Sequence, residues 1–303
     1  MNSVIANGIN LSSITFGTGG NVDSDTLFKL LDKYYSLGGR TIDTARMYTQ
    51  LGESSEAVIG RWLRSRGVRD SITLVTKGGF PRERATPHCI KQDMEQSLDA
   101  LGYTPDLYRF HRDTPSIPAG EFAELGNLFI NQGYTKAYGV SNWDNHRIDE
   151  LTQYAKDNHI APPCVSQIQW SLAQSDGTRM GDDSLICMNE KRFADYDAKG
   201  MPVMAFSPQA KGFFSKYAAG VPYSQKVIDR FLSDEDLARA QRVKELSQQM
   251  GVSAAAITLA YITSSLPNSV AVVGCLTEEH IEDSLTACSV SLTKEQCRWL
   301  YGG

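Results

Sequence analysis

Two spacings of apolar residues alternate along the chain. Short runs rich in β-branched and aromatic residues stand at "SITF" (13–16), "RTID" (40–43), "SITLVTK" (71–77), "PDLYRFH" (105–111), "YTKAYGV" (134–140), "CVSQIQW" (164–170), "PVMAF" (202–206) and "SVAVVG" (269–274). Their length and composition predict buried strands. Between them, apolar residues recur every three or four positions, the period of a helix with one buried face. "SDTLFKLLDKYYSLG" aligns Leu27, Leu30, Leu31 and Tyr34 on one stripe and stops at Gly38. "GESSEAVIGRWLRS", "TPHCIKQDMEQSLDALG", "AGEFAELGNLFINQG" and "NHRIDELTQYAKDN" repeat the theme, three of them finishing at Gly or Asn.

Strand starts recur roughly every 30 residues up to the sixth, the spacing of strand–helix units joined by right-handed crossovers. Eight such units fit a doubly wound sheet or a closed (β/α)8 TIM barrel. "GTGGNV" (17–22) begins like a dinucleotide fingerprint but has Val22 at the third glycine position, and no phosphate-loop motif exists. The steady unit length therefore favours the barrel, as one domain over residues 1–303. Two places break the rhythm. "NGIN" (7–10) sits between β-like stretches and predicts an N-terminal β-hairpin. Residues 207–232 show no clear period and read as a long functional loop.

Composition changes this picture little. The 303 residues are 41% hydrophobic and 21% charged, with a formal net charge of −5. That balance gives no footprint for nucleic acid or an anionic membrane. No apolar run is long enough to span a bilayer, and the first twenty residues lack the pattern of a signal peptide. The six cysteines have no metal or redox spacing, and a reducing cytoplasm is the expected location. No metal site is expected, because the five histidines form no HxH pair.

Barrel enzymes build their sites from the C-terminal ends of strands and the loops that follow. Those positions hold Asp43, Lys77, His111, Ser141, Asn142, Gln167, Phe206 and Gly274, with Tyr48 five residues beyond Asp43. Each has a plainer reading. Asp43 suits a turn, Lys77 a solvated strand end, and Asn142 a helix cap. The charged neighbours of His111 in "RFHRD" read as loop residues. Together, however, Asp, Tyr, Lys and His suit protonation of a carbonyl oxygen. A free phenol is a poor acid at neutral pH, with a pKa near ~10. An adjacent ammonium favours the phenolate, a carboxylate holds that ammonium, and an imidazole can orient the carbonyl.

With these residues in view, the sequence resembles the aldo-keto reductase family. The motifs are "DTARMY" (43–48), "LVTKGG" (74–79), "DLYRFHRD" (106–113), "YGVSNW" (138–143), "SQIQWSL" (166–172) and "MAFSPQAKGFF" (204–214), in order and over nearly the whole chain. The resemblance implies an enzyme transferring hydride between a nicotinamide cofactor and a carbonyl or alcohol. It implies a catalytic tetrad of Asp43, Tyr48, Lys77 and His111, with Tyr48 the general acid. Gly17, Thr18 and Asp43 would lie along the cofactor, and Ser141, Asn142 and Gln167 would bind the carboxamide. Phe206 would stack on the nicotinamide ring. Ser207, Pro208, Gln209, Ala210, Lys211, Gly212 and Phe213 would clasp the pyrophosphate.

At the adenosine end, "VVGCLTEEHIEDSL" (272–285) sets Gly274, His280, Asp283 and Ser284 where many family members have Lys, Arg, Glu and Asn. NADP(H) is favoured by the resemblance and NAD(H) stays open, because a 2′-phosphate normally calls for a permanent cation. The expected substrate is a small aldehyde, ketone or sugar-like carbonyl. Met47, Tyr48, Phe80, His111, Trp143 and Trp170 are candidates for its pocket, and each aromatic has core packing as its alternative. The polar loop "AQSDGTRMGDDS" (173–184) leans towards a polyol, and the sequence ending at Gly303 suggests an open mouth. A cofactor-binding redox sensor or partner subunit is the competing reading, and oligomeric state is left open.

Overall fold

The computed structural model describes residues 2–302. It begins with the antiparallel hairpin expected from the sequence, β1 (Ser3–Ala6) and β2 (Ile9–Ser12). Asn7 and Gly8 both take positive φ, 47° and 77°. That is why this turn uses Asn-Gly: a two-residue hairpin turn matching strand twist puts both central residues in the left-handed region.

Eight parallel strands then close a barrel. They are β3 (Ile14–Gly17), β4 (Thr41–Asp43), β7 (Thr73–Gly78), β8 (Leu107–Phe110), β9 (Ala137–Ser141), β10 (Ser166–Gln169), β11 (Val203–Phe206) and β12 (Ser269–Val273), paired in that order with β12 returning to β3. Between β4 and β7 lies a small hairpin, β5 (Thr49–Gln50) and β6 (Glu53–Ser54). The (β/α)8 barrel with its N-terminal hairpin is thus as the alternation predicted.

Helices over Ser24–Ser36, Ser55–Arg66, Pro87–Leu101, Ala119–Asn131 and Asn145–Asp157 match the periodic segments. Asp23 caps the first by accepting from Thr26 N, and its stripe of Leu27, Leu30, Leu31 and Tyr34 is buried against the barrel. Segment 207–232 differs from expectation. It carries a 3-10 turn at Ala210–Gly212 and two seven-residue helices, Phe213–Ala219 and Gln225–Phe231. Each buries only two apolar residues, Phe213 and Phe214 in one and Val227 and Phe231 in the other. Two residues per helix are too few to show a period. Helices Asp234–Met250 and Ala254–Ser265 complete the long crossing to β12.

The hairpin plugs the N-terminal end of the barrel. Val4, Ala6, Ile9 and Leu11 pack with Val75, Leu107, Ala137, Val165, Met204 and Val270 from the strands above. The apolar fill therefore sits low in the barrel, and the polar groups gather at the opposite, C-terminal end.

Candidate active site

Backbone bonds set each loop onto its neighbouring strand end. Thr18 N donates to Asp43 O, Thr44 N to Val75 O, Arg46 N to Lys77 O, His111 N to Gly78 O and Asn142 N to Gln167 O, all at 2.8–2.9 Å. The side chains at these ends thereby share one small volume. Asp43, the last residue of β4, holds Lys77 Nζ at 2.5 Å, and the same ammonium donates to Thr44 O at 2.8 Å. Lys77 Nζ lies 4.9 Å from the centre of the Tyr48 ring. The His111 ring is edge-on to Tyr48 at 6.1 Å and tilted against Phe80 at 5.2 Å. The structure brings Asp43, Tyr48, Lys77 and His111 together.

A fifth group was not anticipated. Arg109 of β8 is a strand residue, not part of a charged loop, and its guanidinium pairs with the second oxygen of Asp43. Gln167 Nε2 donates to that same oxygen at 3.0 Å. Asp43 and Lys77 are each 2% exposed and Arg109 0%. Charges this deep persist only when paired and hydrogen-bonded. The signal available in the sequence was an arginine among the apolar residues of "LYRF", a run buried at every position.

Burial pushes Asp43 upward, but the Arg109 and Lys77 charges outweigh it and hold the carboxyl below its ordinary value. Burial lowers Lys77 to about 8, with Asp43 opposing and Arg109 assisting. The half-buried Tyr48 is raised, by loss of solvation and then by the Asp43 charge, so its phenol keeps its proton through the neutral range. Burial, then Lys77, Arg112 and Arg109, drives His111 well below its usual value, leaving a neutral imidazole. Its Nδ1 has no hydrogen-bond partner among the described residues. This arrangement can offer a phenolic proton and an imidazole to one oxygen placed above the barrel.

The candidate nicotinamide contacts lie alongside. Ser141 Oγ accepts from Asn142 Nδ2 at 3.1 Å, which leaves the serine proton free to donate. Asn142 takes φ 58° and bonds His111 O and Ile186 N. It does not cap the following helix, because Asp144 does. Gly17 is in register with Asp43 and leaves no room for a side chain, since a Cβ would sit 2.8 Å from Val272 Cγ1. Thr18 turns its hydroxyl inward to Thr44. Phe206 ends β11, half-buried.

After Phe206 the chain curls tightly, with Ser207, Ala210 and Lys211 at φ 52°, 47° and 53° and Gly212 at 79°. Left-handed non-glycine residues cost of order 1–3 kcal/mol each and persist where a loop is shaped for a ligand. Gln209 is half-buried there, and Pro208 is buried. Four cations surround this curl. Lys226, Arg230 and Lys216 each depress Lys211 by their charge, after the larger effect of burial. Among the described residues none of the four forms an ion pair with a carboxylate. The loop therefore fits an anionic cofactor phosphate. Lys216, Lys226 and Arg230 were missed in the sequence because the helices carrying them were not recognised. The Phe213 ring is buried and stacks on Tyr223 at 4.8 Å. At the adenosine end Gly274 and His280 are exposed, Asp283 half-buried and Ser284 buried against Cys275. His280 shares its helix with Glu278, Glu279 and Glu282.

Beside Tyr48 a cleft of about 650 Å³ opens between residues 19–21 and the loop holding Met47, Thr49, Leu51 and Gly52. Met47 is 41% exposed and Leu51 65%. Leu276, exposed too, lies against Gly20 on the same rim. Trp143 and Trp170 do not face this cleft. Trp143 packs edge-on against Phe122 in the helix layer, and Trp170 against Phe193 and Tyr261, both buried. Core packing won, as it does for most large aromatics. Several polar groups of loop 173–184 are engaged within the protein. Asp176 caps Arg179 N, Asp182 pairs with Arg112 and bonds Ser184, and Arg179 bonds three backbone carbonyls. Thr178 and Asp183 of this loop stay exposed.

The sequence model described as "Aldo/keto reductase family" matches residues 11–300. Norsolorinic acid reductase stcV of Emericella nidulans is 28% identical, over 91% of this chain and 71% of its own length. A probable aryl-alcohol dehydrogenase, AAD4 of Saccharomyces cerevisiae, is 26% identical, over 93% of this chain and 88% of its own. Among solved structures, a thermostable aldo-keto reductase in complex with the inhibitor epalrestat superposes with a TM-score of 0.76 at 21% identity. That superposition covers 99% of both chains and speaks for the fold alone.

Proposed function

The chain belongs to the aldo/keto reductase family, nicotinamide-dependent oxidoreductases of carbonyl substrates, and from that premise we propose that it reduces an aryl aldehyde or ketone with NADPH, Tyr48 giving the proton. The observation that carries this reading is the protonated Tyr48 phenol stacked beside Lys77, which is itself held by Asp43. A nicotinamide, when bound, would supply hydride for the carbonyl carbon. Tyr48 donates its proton to the carbonyl oxygen, and neutral His111 orients that oxygen through a ring nitrogen. Asp43 keeps Lys77 in place. Ser141, Asn142 and Gln167 would meet the carboxamide, and Phe206 the ring.

Preference for the phosphorylated cofactor rests on the unpaired cations Lys211, Lys216, Lys226 and Arg230 around the curled loop. Charge-assisted bonds to phosphate are the strong ones. The glutamates around His280 make that helix a poor seat for a 2′-phosphate, so the cations of the loop are the recognition element. An aryl substrate is supported by the apolar rim of Met47, Leu51 and Leu276, by Phe80 beside His111, and by the aryl-directed name of one relative, the probable aryl-alcohol dehydrogenase.

The test is fluorescence titration with NADPH and NADH, followed by turnover on 2-naphthaldehyde and on an aldose. Tighter NADPH binding with faster naphthaldehyde turnover is expected. Tight binding with no turnover on any carbonyl would replace this reading with the redox-sensor one, and no binding would end both.

A further inference from the structure

Beneath Tyr48 the barrel holds one cation more than its single carboxylate can match. Arg109 of β8 stands in register with Lys77 of β7, so both side chains point to the same interior face. Like charges directly opposite one another across a ladder repel. The guanidinium reaches across the barrel to the second oxygen of Asp43, and its Nη1 lies 3.1 Å from the weak acceptor Met204 Sδ. Its Nε has no partner among the described residues. Gly139, in register on the other side, leaves the space: a Cβ there would lie 3.4 Å from Arg109 Cγ and 2.6 Å from Val165 Cγ1.

Lys77 faces charged and titratable groups from three directions. Asp43 and Tyr48 come from β4 and its loop, Arg109 from β8, and His111 and Arg112 from the loop beyond it. Gln167 and Met204 close the ring without charge. Asp43 is the one carboxylate that Lys77 pairs with among the described residues. A guanidinium does not give up its proton, so of the two cations only Lys77 can relieve the imbalance.

We infer that Arg109 is a positioning residue: it occupies half of Asp43 and repels the Lys77 ammonium, so that Lys77 readily becomes a neutral amine able to take the Tyr48 proton when the enzyme oxidises an alcohol. This rests on Tyr48 as the proton carrier proposed above. In that direction the alcohol C–H bond breaks, and its electron pair leaves as hydride to the oxidised nicotinamide. The alcohol O–H proton passes to the Tyr48 oxygen while the Tyr48 proton passes to the Lys77 lone pair. A C=O bond forms, and the Lys77 ammonium later returns its proton to solvent. Burial and Arg109, against Asp43, bring Lys77 to about 8, in keeping with the geometry.

Arg109→Gln keeps a donor for Asp43 and removes the charge. The first readout is the NMR titration of Lys77 Cε in 13C-lysine-labelled protein, assigned with Lys77→Met. The second is the pH profile of kcat/KM for alcohol oxidation. In the variant both midpoints should rise by about one unit or more, so that oxidation at pH 8 drops about tenfold and recovers near pH 10. A purely structural arginine would lower the rate without moving either midpoint, and an unchanged Lys77 midpoint in the folded variant overturns the inference. Arg109→Met, similar in length and uncharged, serves if the glutamine variant does not fold, with the same two outcomes. The NMR readout reports on Lys77 directly, so it stands or fails independently of the role of Tyr48, which the turnover of Tyr48→Phe decides.

Discussion

Lys77→Met should leave the fold intact or strengthen it while removing most of the activity. Lys77 is buried, and its value falls from the ordinary 10.5 to about 8. The folded state thus disfavours the ammonium, relative to the unfolded chain, by about 3 kcal/mol at 1.36 kcal/mol per unit. Below pH 8 both states hold the proton and the whole penalty is present. Between about 8 and 10.5 the folded state has released it while the unfolded state keeps it, so the penalty shrinks as pH rises and vanishes above 10.5. The attraction of Asp43 is already contained in that value, so what stands against the penalty is the bond of Nζ to Thr44 O, worth about 1–3 kcal/mol for a charged donor. Methionine is similar in length, and its loss of charge leaves Asp43 and Arg109 as a one-to-one pair. The expected difference at pH 7 is therefore between zero and about 2 kcal/mol in favour of the variant. The assay is urea unfolding of both proteins at pH 7 and pH 10, where the raised tyrosines and cysteines contribute equally and cancel in the difference. The reasoning is refuted if the variant is several kcal/mol less stable at pH 7, or if wild type does not gain on it between the two pH values.

Tyr48→Phe should lower kcat by about 10²–10⁴-fold, the usual worth of a general acid, with NADPH affinity within a few-fold of wild type by fluorescence titration. Replacing Lys216 and Arg230 together by Met should weaken NADPH about 10- to 100-fold and NADH much less, measured by the same titration. Equal losses for both cofactors would mean these cations meet the pyrophosphate and not the 2′-phosphate. Leu51 sits at φ 47°, a conformation that Asn accepts readily, so Leu51→Asn removes an apolar lip without backbone cost. It should reduce kcat/KM for 2-naphthaldehyde several-fold and spare a small aliphatic aldehyde, which comparative kinetics would show.

What the sequence revealed, and what it hid, follows from how many residues share each signal. The barrel was legible because its information is repeated. Eight β-rich runs and five amphipathic stripes each carry several apolar positions, and single deviations such as Arg109 in β8 do not erase the pattern. The cluster at the barrel mouth was legible because Asp43, Lys77 and His111 fall at or beside the ends of three adjacent strands, where register alone makes them neighbours. From its apolar pattern the curled segment after β11 was legible only as a loop. Its two short helices bury two residues each, below what periodicity can register, so the cations they carry went unseen.

Orientation was the other blind spot. Trp143 and Trp170 follow strands just as His111 does, yet their rings turn outward into the helix layer, where Phe122, Phe193 and Tyr261 receive them. Strand alternation had no power to decide this beyond the strand end, because the loop backbone no longer alternates. Arg109 combines both difficulties. A cation in a wholly buried strand contradicts local pattern, and such contradictions are tolerated mainly where function needs them. That contradiction in "LYRF", read together with its register partner Lys77, is what separates this barrel from a generic arrangement of the same four groups. Its reactivity is accordingly expected to follow the charge at residue 109 more closely than any change made on the exposed rim.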